Sequence, residues 1–134
     1  MSRWGVLLAV TLSLAGCAHA DYGQLADSAT TAVALSRAGF SEGNPLLTQM
    51  GWPGIAATKI AVTQVVKLTP APVCEPGLFW LTVLGYNAAL WNLAVLAGSG
   101  PAAVPLMVLM TGWGWEPWWV DAQRTCAHPW ERFL

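Results

Sequence analysis

Residues 78–97 form a run of 20 residues without a charged side chain. As an α-helix, this run is about 30 Å long, which matches the thickness of the hydrocarbon core of a bilayer. Backbone polar groups in lipid must be hydrogen-bonded within the protein, and a helix satisfies them within one segment. The run therefore predicts a membrane-spanning helix and restricts neighbouring apolar segments to helical structure.

The composition supports lipid as the solvent for much of the chain. Of 134 residues, 55% are hydrophobic and 10% are charged, whereas charged residues make up about 25% of soluble domains. A single small domain in water needs more charge to cover its surface. The net charge of −1 provides no basic surface, so we predict no nucleic-acid partner. One cluster of tryptophans suits a membrane interface: Trp113, Trp115, Trp118 and Trp119.

The amino terminus resembles a bacterial lipoprotein signal peptide. Arg3 precedes an apolar run, residues 4–14, that is too short to span a bilayer. Leu14-Ala15-Gly16-Cys17 follows and is similar to a lipobox. This resemblance implies removal of residues 1–16, a lipid on Cys17 and a mature amino terminus on the outer side of the inner membrane. The alternative is a first transmembrane helix with a chance cysteine.

The rest of the chain is predicted to be all-α, a small transmembrane bundle of three to four short helices. Proline- and glycine-rich segments separate the apolar runs and predict loops at 40–53, 69–77 and 98–101. The helical membrane domain is predicted to cover 17–120, and a polar tail to cover 121–134. The predicted helices are 19–39, 54–68, 78–97 and 102–120.

Each of the first three predicted helices has one face of small and polar residues at helical spacing. Such faces allow close approach and hydrogen bonds between membrane helices. We therefore expect them to point inward, with Trp80, Leu84 and Trp91 outward. The faces consist of Gly23, Asp27, Thr30, Thr31, Ala34 and Ala38; Ala56, Lys59, Thr63 and Lys67; and Gly85, Ala88, Ala89 and Asn92.

An inward Asp27 needs a partner, because a buried unpaired charge is costly. Lys59 is the candidate counter-charge, and Thr30, Thr31 and Asn92 are candidate hydrogen-bond partners. Three interpretations stay open. The pair is structural, or it forms part of an ion, proton or substrate site, or the first helix lies flat at the interface with Asp27 in water.

The segment Glu42-Gly43-Asn44-Pro45 also allows two interpretations. Asn-Pro favours turn initiation, and a glutamate in a loop is ordinarily solvated. Alternatively, Glu42 and Asn44 cap helix ends or complete a cation site together with Asp27.

Two cysteines of the mature chain are candidates for a disulfide. If Cys17 lies outside and each helix crosses once, Cys74 and Cys126 lie on the same oxidising side. A bridge between them is then possible. The alternative is two free thiols, since a bridge requires a suitable Cα separation.

Several of these residues together resemble a known family. The pattern Asp27-x-x-Thr30-Thr31, Gly39, Glu42-x-Asn44-Pro45-Leu46 and Lys59 is similar to that of small bacterial and archaeal membrane proteins catalogued as a domain of unknown function. Asn87 or Asn92 corresponds to an asparagine on the third helix of that family. The match covers residues 25–96, and the lipobox and the tryptophan-rich last helix depart from the pattern. The resemblance implies a compact helical membrane domain and assigns no activity.

No motif for phosphate binding, nucleophilic catalysis or zinc hydrolysis occurs, and we predict no cofactor and no metal.

We predict a lipid-anchored, non-enzymatic accessory protein of the bacterial inner membrane. Its partners would be membrane lipid and a membrane protein or further copies of itself. One alternative is a small oligomeric transporter or ion-binding protein that uses Asp27, Lys59, Glu42 and Asn92. Another is an intramembrane enzyme with Asp27 or Glu42 as the acid–base residue.

Overall fold

The computed structural model describes residues 18–37, 39–41 and 48–127. Within these ranges the chain forms four α-helices and no strand, which confirms the predicted all-α fold. A 3₁₀ turn, Gly100–Ala102, precedes the last helix. The helices are α1 (His19–Leu35), α2 (Gly51–Lys67), α3 (Ala71–Leu96) and α4 (Ala103–Ala127).

Two glycines hold the central helices, α1 and α3, in direct backbone contact. A Cβ atom at Gly85 would lie 2.7 Å from the carbonyl oxygen of Gly23. A Cβ atom at Gly23 would in turn lie 3.2 Å from the carbonyl oxygen of Thr82. Buried Gln24 adds a hydrogen bond from its Nε2 to the Leu81 carbonyl, at 2.7 Å. The absence of side chains at these two glycines therefore sets how close α1 and α3 come.

The outer helices, α2 and α4, each pack on a different central helix. α2 packs mainly on α1, whereas α4 packs mainly on α3. Asn87 of α3 donates to Thr111 of α4 at 3.0 Å, and a disulfide joins Cys74 of α3 to Cys126 of α4 with a Cα–Cα distance of 5.9 Å. These two contacts show that α3 and α4 run antiparallel. The start of α3 is thereby tied to the end of α4.

An apolar core lies at this disulfide end of the bundle. It forms where the start of α1 meets α3 and α4. Its large members, Leu78, Phe79 and Trp118, are almost fully buried. The complete cluster is Ala20, Cys74, Leu78, Phe79, Val83, Trp118, Ala122 and Cys126.

The predicted turn at 69–77 is wrong, because α3 starts at Ala71 and includes two prolines. Pro72 lies in the first turn, where the N–H that proline lacks has no helical partner anyway. Pro76 lies one turn further and removes one hydrogen bond to the Pro72 carbonyl. Burial of Cys74 and Leu78 against neighbouring helices outweighs this loss, so the helix continues.

The predicted end of the last helix is also wrong. The helix was expected to end at Val120, with a polar tail from residue 121. Instead, Pro117 lies inside α4, which continues to Ala127. Ala122 and Cys126 are buried, so packing and the disulfide favour two further helical turns.

Smaller differences occur around the loop between α1 and α2. α1 ends at Leu35 rather than at Gly39, although Gly39 does adopt the left-handed conformation with φ of 89°. α2 begins at Gly51, so Pro53 belongs to its first turn rather than to the predicted loop. Proline is well tolerated at that position.

Candidate functional site

An ion pair between α1 and α2 forms the centre of the candidate site. Lys59 Nζ donates to Asp27 Oδ2 at 2.5 Å. The side chains are 18% and 9% exposed, respectively. Helical periodicity places Gly23, Asp27 and Thr31 on one buried face of α1. This face is directed at α2 and α3, and the carboxylate therefore meets the lysine inside the bundle.

Hydroxyl and amide groups complete the surroundings of Asp27. Thr31 Oγ1 donates to Asp27 Oδ1 at 3.2 Å. Asn92 Nδ2 of α3 lies within 3.3 Å of Asp27 Oδ1 and within 3.1 Å of the hydroxyls of Thr30 and Thr31. The structure thus brings together five residues of the predicted site, from three helices, into one network.

The remaining predicted positions lie outside the described residues. They are Ala38 on the first helix face, Cys17 of the lipobox, and Glu42 and Asn44 of the loop. Lipidation and a contribution of the loop to the site stay predictions. Among the described residues, no three His, Cys, Asp or Glu side chains lie close enough together to hold a metal ion.

A second ion pair joins α1 to α2 two turns closer to the disulfide end. Lys67 Nζ donates to Asp21 Oδ2 at 2.5 Å, and Gln64 Nε2 donates to Asp21 Oδ1 at 3.0 Å. The Lys67 side chain is only 3% exposed. Lys67 was placed on the inward face of α2, but its partner Asp21 was not recognised.

The antiparallel register of α1 and α2 contains the signal that identifies this second pair. Asp21 lies six residues before Asp27, towards the start of α1. Because α2 runs antiparallel to α1, the partner of Asp21 must lie a similar number of residues after Lys59, and Lys67 is the lysine in that region. The two acids on α1 and the two lysines on α2 therefore form a ladder of opposite charges.

A third carboxylate, Asp121 of α4, binds the start of α1. Its Oδ2 accepts the backbone N–H of His19 at 2.7 Å. A negative charge at this position satisfies a free helical N–H and complements the positive end of the helix dipole. The sequence prediction placed Asp121 in a polar tail, so it missed this contact between distant segments.

We expect Asp121→Ala to destabilise the protein by about 1 kcal/mol, the usual contribution of a helix cap. The start of α1 should also show faster amide hydrogen exchange, measured by mass spectrometry in detergent. Gln123→Ala, at an exposed position on the same helix, is the matched control and should leave exchange unchanged. Equal exchange in Asp121→Ala and the native protein would contradict the capping role.

The aromatic cluster has both buried and exposed members. Phe79 contacts Trp115 and Trp119, with ring centroids 4.6 and 5.5 Å away. Tyr86 stacks on buried Trp118 at 5.3 Å. These rings join α3 to α4, so the tryptophan-rich segment contributes to the core as well as to the surface.

The distribution of polarity differs from that of a typical water-soluble protein in two respects. Charged and polar side chains are buried between the helices, including Asp27, Thr63 and Lys67. Large apolar side chains are exposed on all four helices. Examples from α1 to α4 are Leu25, Val33, Ile60, Val65, Trp80, Leu84, Trp91, Val108, Leu109 and Trp113. Trp80, Leu84 and Trp91, which were expected to point outward, are among them.

One helix within the described residues, α3, is long and apolar enough to cross a membrane. The chain is 36% identical, over 81 residues, to a viral protein named "Putative transmembrane protein ORF13", from a virus of the isolate Australia/Victoria. The alignment covers 54% of this chain and 82% of the viral protein. The chain belongs to the family of this viral protein.

Other comparisons add no further relationship. No family model matches the chain, and no solved structure matches it. The resemblance to the bacterial and archaeal membrane proteins therefore stays a prediction, although Asp27, Thr30, Thr31, Lys59 and Asn92 of that pattern meet in one network.

Proposed function

We propose that the protein is an integral membrane protein with a non-enzymatic role, in which a rigid helical bundle is displayed to lipid and to a membrane partner. The observation that carries this proposal is the exposure of large apolar side chains on all four helices, together with ion pairs inside the bundle. Large apolar side chains on the outside would be unfavourable in water, whereas lipid accepts them. The printed name of the viral relative and the length of α3 support the same placement.

The charge ladder explains how two short helices are accommodated in lipid. α1 and α2 have 17 residues each, close to the lower limit for crossing a bilayer. α1 contains Asp21 and Asp27, whereas α2 contains Lys59 and Lys67. Either helix alone would place unpaired charges in hydrocarbon. When the two helices are packed together, each aspartate is neutralised by a lysine. This supports insertion of α1 and α2 as one unit against α3.

The geometry around Asp27 supports a structural role over ion binding or acid–base catalysis. Both carboxylate oxygens are engaged, one by Lys59 and the other by Thr31 and Asn92. An ion-binding or catalytic carboxylate would have to give up these bonds to reach a ligand. A satisfied buried network instead rigidifies and specifies the packing of the helices.

The disulfide supports an orientation for the proposed membrane protein. Structural disulfides form in oxidising compartments such as the periplasm. Cys74 and Cys126 lie at the end of the bundle where α1 begins, because Ala20 belongs to the same apolar cluster. We therefore place this end at the outer side of the bacterial inner membrane. The lipid anchor on Cys17 is proposed from the lipobox motif.

Membrane extraction tests the proposed function. We expect the protein to stay in membranes washed with alkaline carbonate and to be released only by detergent. Cys17→Ser should also stay in the membrane, because the helices hold it there, but it should no longer incorporate radiolabelled palmitate. Release of the native protein by carbonate would rule out the integral bundle. Equal palmitate incorporation in Cys17→Ser would rule out only the lipid anchor.

A further inference from the structure

The outer face of α4, defined by Leu109, Gly112, Trp113 and Glu116, contains a glycine that internal packing does not require. A Cβ atom at Gly112 would meet no heavy atom within 4 Å. By contrast, a Cβ atom at Gly114 would overlap the Trp118 ring. Glycine inside a helix costs about 1 kcal/mol relative to alanine. A gain outside this chain, such as close approach of another helix, would explain Gly112.

The outer face also carries a carboxylate to which the described residues supply no counter-charge. Glu116 is exposed, and no described residue forms an ion pair or hydrogen bond with its side chain. Neighbouring Trp113 is 85% exposed, and Leu109 is exposed as well. Glu116 is thus a single charge on an otherwise apolar surface.

The backbone carbonyl of Trp113 is a second hydrogen-bond acceptor on this side of the helix. Its usual donor would be the N–H four residues later, but that residue is Pro117, which has no N–H. The Glu116 carboxylate and the Trp113 carbonyl therefore lie within one turn of each other. Both accept hydrogen bonds, so the face is complementary to a cationic donor.

Along the axis of the bundle, the outer face lies at the level of the middle of α3 rather than at the level of its ends. Trp119 contacts Phe79, and Thr111 contacts Asn87. Glu116 falls between these two levels, and both lie well inside Ala71–Leu96. If α3 crosses the membrane as proposed above, Glu116 faces lipid, where an unpaired charge is costly.

We propose that the outer face of α4 docks a transmembrane helix of another membrane protein, which presents a lysine or arginine to Glu116. Gly112 allows this helix to approach, and the cation binds the Glu116 carboxylate and the Trp113 carbonyl. A symmetric pair of copies through this face is disfavoured, because it would bring two Glu116 carboxylates together. The inference rests on the proposed membrane placement.

Site-specific photocrosslinking in cells tests the docking proposal. p-Benzoylphenylalanine is placed at Trp113, whose exposure means that little packing is lost, and separately at Leu84 on the outward face of α3 as a control. We expect a discrete adduct from position 113 and none from position 84. Mass spectrometry of the adduct should find an apolar helix containing lysine or arginine. Glu116→Gln should lower the adduct yield by about tenfold or more, as expected for loss of a buried interfacial charge pair.

Charge reversal gives the decisive comparison. Glu116→Lys should abolish the adduct, and changing the partner's cation to glutamate in the same cells should restore it. An adduct between two copies of this chain, or with its own residues 128–134, would overturn the proposal. So would an adduct that Glu116→Gln leaves unchanged, or no adduct from protein that resists carbonate extraction. Carbonate release of the native protein would overturn both this inference and the proposed function.

Discussion

Replacing Lys59 with methionine is expected to destabilise the protein by about 3–5 kcal/mol, the cost of leaving one partner of a buried ion pair without its counter-charge. Asp27 is buried on α1, and its short side chain cannot reach water once the lysine is replaced. Asp27→Asn should cost less, because Lys59 is partly exposed and its long side chain can reach a more polar region. The measurement is the free energy of unfolding in detergent micelles, together with the amount of protein in the membrane.

The neutral double variant, Asp27→Asn with Lys59→Met, separates a structural pair from a functional site. It removes both charges and keeps an oxygen that can accept from Thr31 and Asn92. Replacing a whole buried pair by neutral groups is often close to neutral in stability, so we expect near-native levels. Should the double variant be less stable than Lys59→Met alone, neutralisation cannot be the role of the pair.

The same double variant bears on the ion-binding alternative. A structural pair predicts that the double variant also keeps its function in the cell, because only packing depends on the two residues. If the double variant is stable and well inserted but a knockout phenotype is not complemented, Asp27 and Lys59 act on something besides each other. Such a result would favour the transporter or ion-binding interpretation.

Replacing Gly85 with leucine is expected to prevent correct packing of α1 against α3. Its Cβ atom would lie 2.7 Å from the Gly23 carbonyl oxygen, and backbone cannot move aside as a flexible side chain can. Overpacking a core costs about 1–3 kcal/mol, and we expect a value at or above the upper end here. The measurements are the unfolding free energy and disulfide formation in a non-reducing gel, since misplacement of α3 also affects Cys74.

Gly112→Ala is the matched control for Gly85→Leu, because a Cβ atom at Gly112 meets no heavy atom within 4 Å. In detergent, without a partner, this change should stabilise the helix by up to about 1 kcal/mol. Equal tolerance of both substitutions would show that α1 and α3 do not meet through their backbones. A loss of stability in Gly112→Ala would mean that α4 packs through this face within the chain.

Much of the candidate site could be predicted from residues on single helices. Period 3.6 places Asp27, Thr30 and Thr31 together on α1, and the cost of burying a carboxylate requires a counter-charge nearby. Lys59 is on the inward face of the next helix, so the pairing follows. Asn92 was likewise identified because it shares the small and polar face of α3.

Other parts of the site could not be predicted, because they depend on where helices end and how they align. The polar composition of residues 121–134 predicts a tail that includes Asp121, yet burial of Ala122 and Cys126 extends α4 and brings Asp121 to the start of α1. Local propensity is a weak term beside such packing. The partner of Lys67 similarly depends on the register of α1 against α2.

By itself, the sequence determined the all-α fold, because 20 uncharged residues in one run and the cost of unsatisfied backbone groups in lipid leave little choice. It also determined which face of each of the first three helices is polar, since that depends only on spacing along one helix. The tertiary structure decided the contacts between helices: the Gly23–Gly85 approach, the Asp21–Lys67 pair and the cap from Asp121. These contacts depend on the distance and register between segments far apart in the chain, which are set by the packing of the whole bundle.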